Sequence, residues 1–419
     1  MGRLRTGTLL AVLVTSIALV GVPGVGAQAE PQPGVSDTEI RVAGIATVSN
    51  DPTGGDLGQI FNGAQAYFDY INETEGGVFG RDLVLEEHDD ALGQNRATVE
   101  EVIAGDFFAV LPVAVRQFTG AELLKESGIP TFGWWVNQEW GGEFFDGSPN
   151  FFTDKGGYLC ITCDDPEPRT FLAAELGLKR VGVLALNVPS SVACIDGIEA
   201  SLGKYPVAEV VFKDDTLAFG AIDYSAQVSQ MVEEEVDYVL TCVDVNANIN
   251  VLTEMARQGL EAPTIFASAY DHKLVSANAE VLNGNYVLTT FSPFETKPKP
   301  KGIKLFLKWM KRGDGETNEV SLAGWVNAHL FVEGLKAAGE DFTRESVVDA
   351  INQFTDWNAD GVLPTIDWTE AHENEIGCYV ISQIVNGKFK RRFDDKGEAF
   401  RCQDTSYEAA IEAALDKQK

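Results

Sequence analysis

The segment IRVAGIATVSNDPTGGDLGQIFNGAQAYFDYINETEGGVFGRDLVLEEHDD, residues 40–90, decides the fold class. Residues 40–46 form a short, mostly apolar run, which is typical of a strand buried in a parallel sheet. A loop rich in Gly, Asn, Asp and Pro follows, and apolar residues then recur at helical spacing over residues 60–71. A second apolar run at 83–85 completes a strand–helix–strand unit.

The same alternation continues along most of the chain. Further apolar runs alternate with helical patterns, at residues 107–111, 130–134, 181–186, 207–212, 238–242 and 264–266. Repeated units of this kind predict an α/β fold with parallel sheets and helices on both faces. The units are too many for one sheet, so we expect two three-layer lobes. After about residue 300 the pattern turns helical, and an antiparallel pair follows near 377–392.

Charge and composition limit the partners of the protein. The 419 residues include 32 Lys and Arg against 63 Asp and Glu, a net charge of −31. Nucleic acid is excluded because phosphate binding needs a basic surface, and anionic membrane surfaces are disfavoured for the same reason. The local basic run Lys297-Pro-Lys-Pro-Lys301 is interpreted as a solvated turn. A hydrophobic content of 45% is typical of a chain that forms a core.

The N-terminal segment predicts export. Arg3 and Arg5 precede an apolar stretch at residues 9–22, and the motif Ala27-Gln28-Ala29 follows. This order is typical of a secretory signal peptide, here residues 1–29, whereas a buried N-terminal helix is the alternative. We therefore expect a soluble periplasmic or extracellular protein that is exported by a cleaved signal peptide. No later stretch is apolar enough to predict a membrane-spanning helix.

Six cysteines in an exported chain are expected to form disulfides. Cys378 and Cys402 flank the hairpin that Asn386-Gly387 predicts, and a hairpin brings its ends together, so we predict a Cys378–Cys402 disulfide. Four cysteines allow three pairings that the sequence leaves open: Cys160, Cys163, Cys194 and Cys242. The Cys160-Ile-Thr-Cys163 motif could also be a redox pair. The histidines are too scattered for a zinc site, and we expect no metal.

Signatures of catalysis are missing from the chain. The sequence has no nucleophile elbow, no zinc-protease motif, no phosphate-binding loop and no dinucleotide fingerprint. We therefore expect neither enzymatic activity nor a cofactor. An exported hydrolase is a minor alternative, in which Asp51 and Asp244 would face each other as paired carboxylates. A sensory module is a third possibility, although such receptors add a membrane segment and a signalling domain.

The opening segment resembles the substrate-binding proteins of ABC transporters of the leucine/isoleucine/valine-binding type. The shared pattern includes Ile71-Asn72, Gly76-Gly77-Val78, Gly80-Arg81 and Asp89-Asp90, and later VDYVLTCVDVNANINVLTEMARQGL at residues 236–260. The resemblance covers roughly residues 37–395 and rests on the combination of motifs. It implies a type I periplasmic-binding-protein fold, a cleft that closes by hinge motion, and delivery of a small molecule to a membrane permease.

The resemblance also implies how the chain divides. The N-terminal lobe would comprise residues 37–153 plus 287–361, and the C-terminal lobe residues 154–286 plus 362–405. Residues 406–419 would form a C-terminal tail. The protein is expected to be a monomer whose partners are its ligand and the ABC permease.

Pocket positions of the family can be placed on this sequence loop by loop. The family's carboxylate-binding serine corresponds to Ala114, and its Ala-x-Thr corresponds to residues 135–137, with Trp135 and Asn137. The family's two tyrosines correspond to Leu57 and Asp244. Its aromatic residue corresponds to Ser190 or Ser191, and its acid corresponds to Ala269, beside Tyr270. Asp51 and Asn246 complete the predicted ligand-binding set.

These replacements predict a less polar ligand than an amino acid. A charge-assisted hydrogen bond contributes about 1.5–3 kcal/mol, and the site lacks the serine, the threonine and the acid that hold a zwitterion. Covering about 150 Å² of indole supplies on the order of 4 kcal/mol instead. We predict an aromatic, steroid-like or partly apolar ligand on Trp135, with Trp134 in the core. A branched-chain amino acid or amide is the alternative.

Overall fold

The computed structural model describes residues 1–2, 32–141, 145–157, 168–374, 377–393, 399–402 and 405–417. Residues 3–29 of the predicted signal peptide lie outside the described residues, and so do Cys160 and Cys163. The signal peptide and the pairing of these two cysteines therefore stay predictions.

The first lobe is built on a sheet of five parallel strands. These strands are β1 (Glu39–Ala46), β2 (Asp82–Asp89), β3 (Ala109–Ala114), β4 (Thr131–Gly133) and β5 (Phe151–Thr153). Their order in the sheet is β2-β1-β3-β4-β5. The helices between them are α1 (Gln59–Glu75), α2 (Asn95–Ala104) and α3 (Ala121–Ser127). Ile40 pairs with Leu83 in parallel register, as the opening strand–helix–strand unit predicts.

The second lobe begins with five more parallel strands. They are β6 (Arg180–Leu186), β7 (Glu209–Leu217), β8 (Tyr238–Cys242), β9 (Thr264–Phe266) and β10 (Tyr286–Thr289). The helices of this stretch are α4 (Pro168–Leu176), α5 (Pro189–Lys204), α6 (Ser225–Glu233), α7 (Val245–Gln258), α8 (His272–Ala277) and α9 (Ala279–Leu282). Strand β10 stays paired with its sheet as far as Thr289. The predicted lobe border before residue 287 therefore needs to move a few residues later.

The chain then returns to the first lobe as three helices. They are α10 (Lys301–Arg312), α11 (Glu319–Ala338) and α12 (Arg344–Ile351). Helix α11 is buried along most of its length and packs directly on α1, where Gly63 and Gly324 lie at the crossing. A Cβ atom added at Gly324 would lie 1.9 Å from the Ile60 carbonyl oxygen. The crossing therefore needs residues without a side chain.

The last part of the chain completes the second sheet. Strands β11 (Cys378–Val385) and β12 (Lys388–Arg392) form an antiparallel hairpin, and β13 (Arg401–Cys402) pairs with β11. The full order is β12-β11-β10-β9-β8-β6-β7. The hairpin turns at Asn386 and Gly387, whose φ angles of 52° and 70° are the left-handed values that this turn requires. The predicted Cys378–Cys402 disulfide is confirmed.

Two C-terminal segments differ from the predicted division. Trp368 packs edge-on against Phe152 of β5, with ring centroids 5.1 Å apart, so the first lobe extends past the predicted border at 361. The segment predicted as a tail forms helix α13 (Thr405–Lys417). Ile411 and Ala414 of α13 are buried in the core of the second lobe. An amphipathic final helix therefore closes this lobe. The exact lobe ranges remain a proposal.

The close crossing of α1 and α11 predicts that alanine destabilises the protein at a glycine of the crossing but not at a glycine elsewhere. Gly324→Ala would force a methyl group against the backbone of α1, and overpacking of this kind costs ~1–3 kcal/mol or more. Gly203→Ala on α5 is the control, because no heavy atom lies within 4 Å of its added Cβ. Alanine there should leave the free energy of unfolding unchanged or raise it by up to ~1 kcal/mol. Urea denaturation would contradict this account if both variants behaved alike.

Candidate functional site

Two adjoining cavities lie at the carboxyl ends of the strands, where the two lobes face each other. The first has a volume of about 240 Å³ and the second about 170 Å³. Both contain loops from the two lobes, and four residues line both cavities: Arg116, Trp134, Asp244 and Ser268. Open α/β sheets bind ligands at this edge, so these cavities form the candidate binding cleft.

The structure brings most of the predicted site residues to this cleft. The first cavity contains Leu57, Asp244, Asn246, Ala269 and Tyr270. The second contains Trp135, Asn137, Ser190, Ser191 and again Asp244. Two predicted residues, Asp51 and Ala114, line neither cavity. Ala114 is buried at the end of β3, where its carbonyl oxygen accepts a hydrogen bond from the Thr47 N–H at 3.0 Å.

Asp51 has a structural partner instead of a place in the cavity wall. Its Oδ2 accepts a hydrogen bond from Arg116 Nε at 2.8 Å and lies 2.8 Å from Nη2 of the same guanidinium, which donates to the Thr53 hydroxyl. Its Oδ1 accepts from the N–H and the hydroxyl of Thr53, at 2.9 and 2.8 Å. The sequence analysis missed Arg116, which lies two residues beyond the predicted Ala114. A basic residue in a strand-end loop was the available signal.

Asp244 and Asn246 shape the side of the cleft that the second lobe supplies. Asp244 caps helix α7, since its Oδ1 accepts from the N–H groups of Asn246 and Ala247 at 3.0 Å. Burial raises the pKa of Asp244, whereas these N–H groups and Arg116 lower it. The side-chain amide of Asn246 donates to the Thr53 carbonyl at 2.7 Å. This bond crosses the cleft from the second lobe to the first.

Tyr270 holds a loop rather than offering its hydroxyl to the cavity. The hydroxyl donates to Glu295 and accepts from the Phe294 N–H at 2.7 Å. The ring stacks on Phe389 with centroids 4.4 Å apart. Burial raises the pKa of Tyr270, and the neighbouring Glu295 carboxylate raises it further, so the phenol stays neutral. The Tyr270 carbonyl accepts from the Glu319 N–H at 3.1 Å, a second bond across the cleft.

Both adjacent tryptophans reach the cleft, although only Trp135 was predicted there. Trp134, which was assigned to the core, is 5% exposed and lines both cavities. Its indole Nε1 has no hydrogen-bond partner among the described residues. Trp135 lines the second cavity, but Lys155 Nζ lies 3.1 Å from its ring centroid. Trp134 is therefore a mostly buried ring that borders both cavities, whereas the more exposed Trp135 has a lysine over one face.

The second cavity is mostly apolar with a few polar groups. Ser190 and Ser191 lie in the first turn of helix α5, which Pro189 begins. Asn137 is 6% exposed, and its Oδ1 has no hydrogen-bond partner within the described part of the chain. Cys194 and Cys242 form a disulfide in the wall, which resolves one pairing that the sequence left open.

Buried charges lie where the chain crosses between the lobes. Asp154 and Lys155 follow β5, and Glu319 begins α11; all three are almost completely buried. Burial raises the pKa of Asp154 to about 6, although Lys155 lowers it. Burial and the nearby Asp154 raise the pKa of Glu319 to about 8, although Lys155 lowers it. Glu319 also lines the first cavity, so the cleft and the crossing share one carboxyl group.

These two carboxyl groups predict that stability falls as the pH rises. Their folded pKa values lie above the ordinary values of 3.8 and 4.5, so unfolding releases protons across this range. The stabilisation is complete below about pH 4 and is lost as the pH rises through about 6 and 8. Glu319→Gln should flatten this decline, to which each of the two groups contributes on the order of a few kcal/mol. Denaturation curves from pH 4 to 9 measure it.

Glu280→Gln is the matched control for this pH dependence, because Glu280 is exposed on α9. It should leave the decline in the free energy of unfolding as steep as in the wild type. If the free energy of unfolding declined with pH equally steeply in the wild type and in Glu319→Gln, the decline could not be assigned to Glu319.

The family of the chain follows from a match over most of its length. The family model described as "Periplasmic binding protein" matches residues 39–388, so the chain belongs to that family. Its members are exported proteins that bind small molecules and work with ABC permeases, and the family is not made of enzymes. No curated protein sequence matches the chain significantly.

Solved structures share the fold at low sequence identity. A fatty acid ABC transporter substrate-binding protein from Thermomonospora curvata is 17% identical, with a TM-score of 0.71 over 90% of this chain and 98% of that one. A branched-chain amino acid ABC transporter protein from Thermus thermophilus with bound valine is 17% identical, with a TM-score of 0.70 over 85% and 96%. A solute-binding protein from R. palustris in complex with benzoate is 15% identical, with a TM-score of 0.66 over 84% and 95%.

These likenesses show that the fold is the type I periplasmic binding fold, as the sequence predicts. Within the described ranges, no helix combines the length and the apolar character needed to cross a membrane.

Proposed function

We propose that this protein captures a small, partly apolar molecule between its lobes and presents it to the permease of an ABC importer. It reaches the periplasm or the cell exterior through a cleaved signal peptide and acts as a monomer without catalysis. Its site uses no cofactor or metal. Membership of the periplasmic binding protein family supports the general role, and the geometry of the cleft supports the chemistry of the ligand.

The observation that carries this proposal is a cleft that both lobes enclose. Asn246 donates to the Thr53 carbonyl across it, and Asn318 Nδ2 donates across it to Asp271 at 3.1 Å. Together the two cavities reach the size range of small-molecule pockets, roughly 300–1,000 Å³. Lobes that touch on both sides of a cavity support capture by closure around the ligand.

The two cavities favour different parts of a ligand. The second combines Trp134 with Val188, Phe219 and Val243, and suits an aromatic or aliphatic body. The first contains the carboxyl groups of Asp244, Asp271 and Glu319, so it suits a hydroxyl or cationic group. Its cation, Arg116, is already paired with Asp51. We infer that any carboxylate of the ligand points into the second cavity, away from Asp271 and Glu319, which line only the first.

The hydrolase alternative gains no support from this geometry. Asp51 uses both carboxylate oxygens in bonds to Arg116 and Thr53, and its side chain is 2% exposed. It therefore cannot act as the second carboxylate of a catalytic pair with Asp244.

A binding panel tests the proposed ligand class. The relatives bind valine, benzoate and 4-hydroxybenzoate, and one is named as a fatty acid binder. We propose that aromatic or fatty acids raise the thermal midpoint of residues 30–419 more than leucine or valine does, since a ligand stabilises by mass action. A shift with leucine alone would support the amino-acid alternative instead. Turnover of a bound compound would contradict the role without catalysis.

Substitution of Trp134 tests how the ligand is held. Trp134→Ala should weaken binding of the best panel compound ~10- to 100-fold, because an aromatic face contributes roughly 1.5–3 kcal/mol when covered. Trp134→Phe keeps an aromatic face but loses part of the apolar area and the Nε1–H donor, so its affinity should lie between those of alanine and the wild type. Calorimetric titration measures these affinities.

Trp135→Ala is the matched control, because Lys155 already covers that ring. It should weaken binding less than Trp134→Ala does. A Trp134→Ala protein that binds as tightly as the wild type, with Trp135→Ala impaired, would restore the assignment made from the sequence.

A further inference from the structure

The basic residues of this acidic protein cluster in two short segments, residues 297–312 and strand β12 (Lys388–Arg392). Residues 297–312 include seven Lys and Arg and no Asp or Glu, although the whole chain has a net charge of −31. The seven residues are Lys297, Lys299, Lys301, Lys304, Lys308, Lys311 and Arg312. The sequence pattern around Lys297–Lys301 had been interpreted as a solvated turn, and the capture function uses none of these side chains.

Helix α10 places most of these charges on one face. Its buried side includes Ile303, Phe306 and Met310, which anchor the helix in the first lobe. Lys301, Lys304, Lys308 and Lys311 follow at spacings of three and four residues, so they lie on the opposite side of the helix. All four are exposed. We call these four lysines the α10 lysine face.

Among the described residues, ion pairs neutralise only the two ends of helix α10. Lys301 pairs with Asp360 at 2.9 Å, and Arg312 pairs with Glu73 at 2.7 Å. The three central lysines, Lys304, Lys308 and Lys311, form no ion pair with any described residue. Three adjacent cations therefore face solvent without a counter-charge from the part of the chain that the structure describes.

We propose that the α10 lysine face docks on anionic phospholipid headgroups at the surface of the membrane that holds the permease. This goes beyond ligand capture and does not depend on the identity of the ligand. Clusters of four to eight basic residues on one helix face are typical of attraction to anionic lipid. The total charge of the protein disfavours such surfaces, but acidic groups farther than about 8 Å are screened at physiological salt.

Two features favour lipid over an acidic protein as the occupant. Six of the seven basic residues are lysines, and lysine is depleted from protein interfaces, where arginine is enriched. A strongly hydrated ammonium on a flexible stem suits a diffuse layer of headgroups better than a fitted protein surface. The apolar side of α10 is already buried in the lobe, so the helix rests on headgroups without inserting.

Co-sedimentation with vesicles tests this proposal. At 50 mM salt, residues 30–419 should bind vesicles of equal phosphatidylglycerol and phosphatidylcholine but not vesicles of pure phosphatidylcholine. At 500 mM salt they should bind neither kind of vesicle. Each lysine near an anionic surface contributes on the order of fivefold in partitioning. Lys304→Glu/Lys308→Glu/Lys311→Glu should therefore lower binding by about 100-fold or more.

A matched control tests whether binding depends on where the lysines lie or only on the net charge of the protein. Lys273→Glu/Lys388→Glu/Lys390→Glu changes three exposed lysines away from α10, two of them in the basic strand β12, and alters the net charge equally. It should retain most of the binding, and both triple variants should keep the wild-type ligand affinity. The exposed Lys273–Glu316 ion pair that the control removes should change its thermal midpoint only slightly. Absent binding of the wild type, or equal losses in both variants, would overturn the proposal. The proposal would also be overturned if ligand transport depended on Lys304, Lys308 and Lys311 while the protein did not bind vesicles. That result would indicate an acidic protein partner instead.

Discussion

The buried ion pair between Arg116 and Asp51 fixes the loop on which the rest of the cleft depends. A charge with a 2% exposed side chain is tolerated only when it is paired, and Asp51 satisfies both oxygens through Arg116 and Thr53. The same loop then offers the Thr53 carbonyl to Asn246 of the second lobe. An ion pair within one lobe therefore positions a hydrogen bond between the lobes, and it removes the charge of Arg116 from direct ligand binding.

The start of helix α11 links the cleft to the crossings. Asn318 and Ser321 cap this helix reciprocally, while Asn318 also donates to Asp271 of the other lobe. The next residue, Glu319, donates its N–H to Tyr270 and buries its carboxyl group beside the first cavity. The hydrogen bonds between the lobes thus lie next to a buried titratable group. The close packing of α1 on α11 holds this helix end in place.

Sequence patterns predicted the parts of the fold that depend on local periodicity. The strand–helix alternation and the Asn386-Gly387 hairpin were read correctly because each depends on residues close together in the chain. The contact of Trp134 with both cavities was not predicted, because β4 ends at Gly133 and the alternation of side chains between sheet faces does not extend beyond a strand. Arg116 was missed because its partner, Asp51, lies 65 residues away.

A crystal structure of the mature protein with its best-binding panel compound tests the central claim most directly. The account predicts that the compound lies against Trp134 with its apolar body in the second cavity, while Asn246 still bonds to Thr53 across the closed cleft. A compound that contacts one lobe only, or that lies away from Trp134 and Asp244, would contradict it.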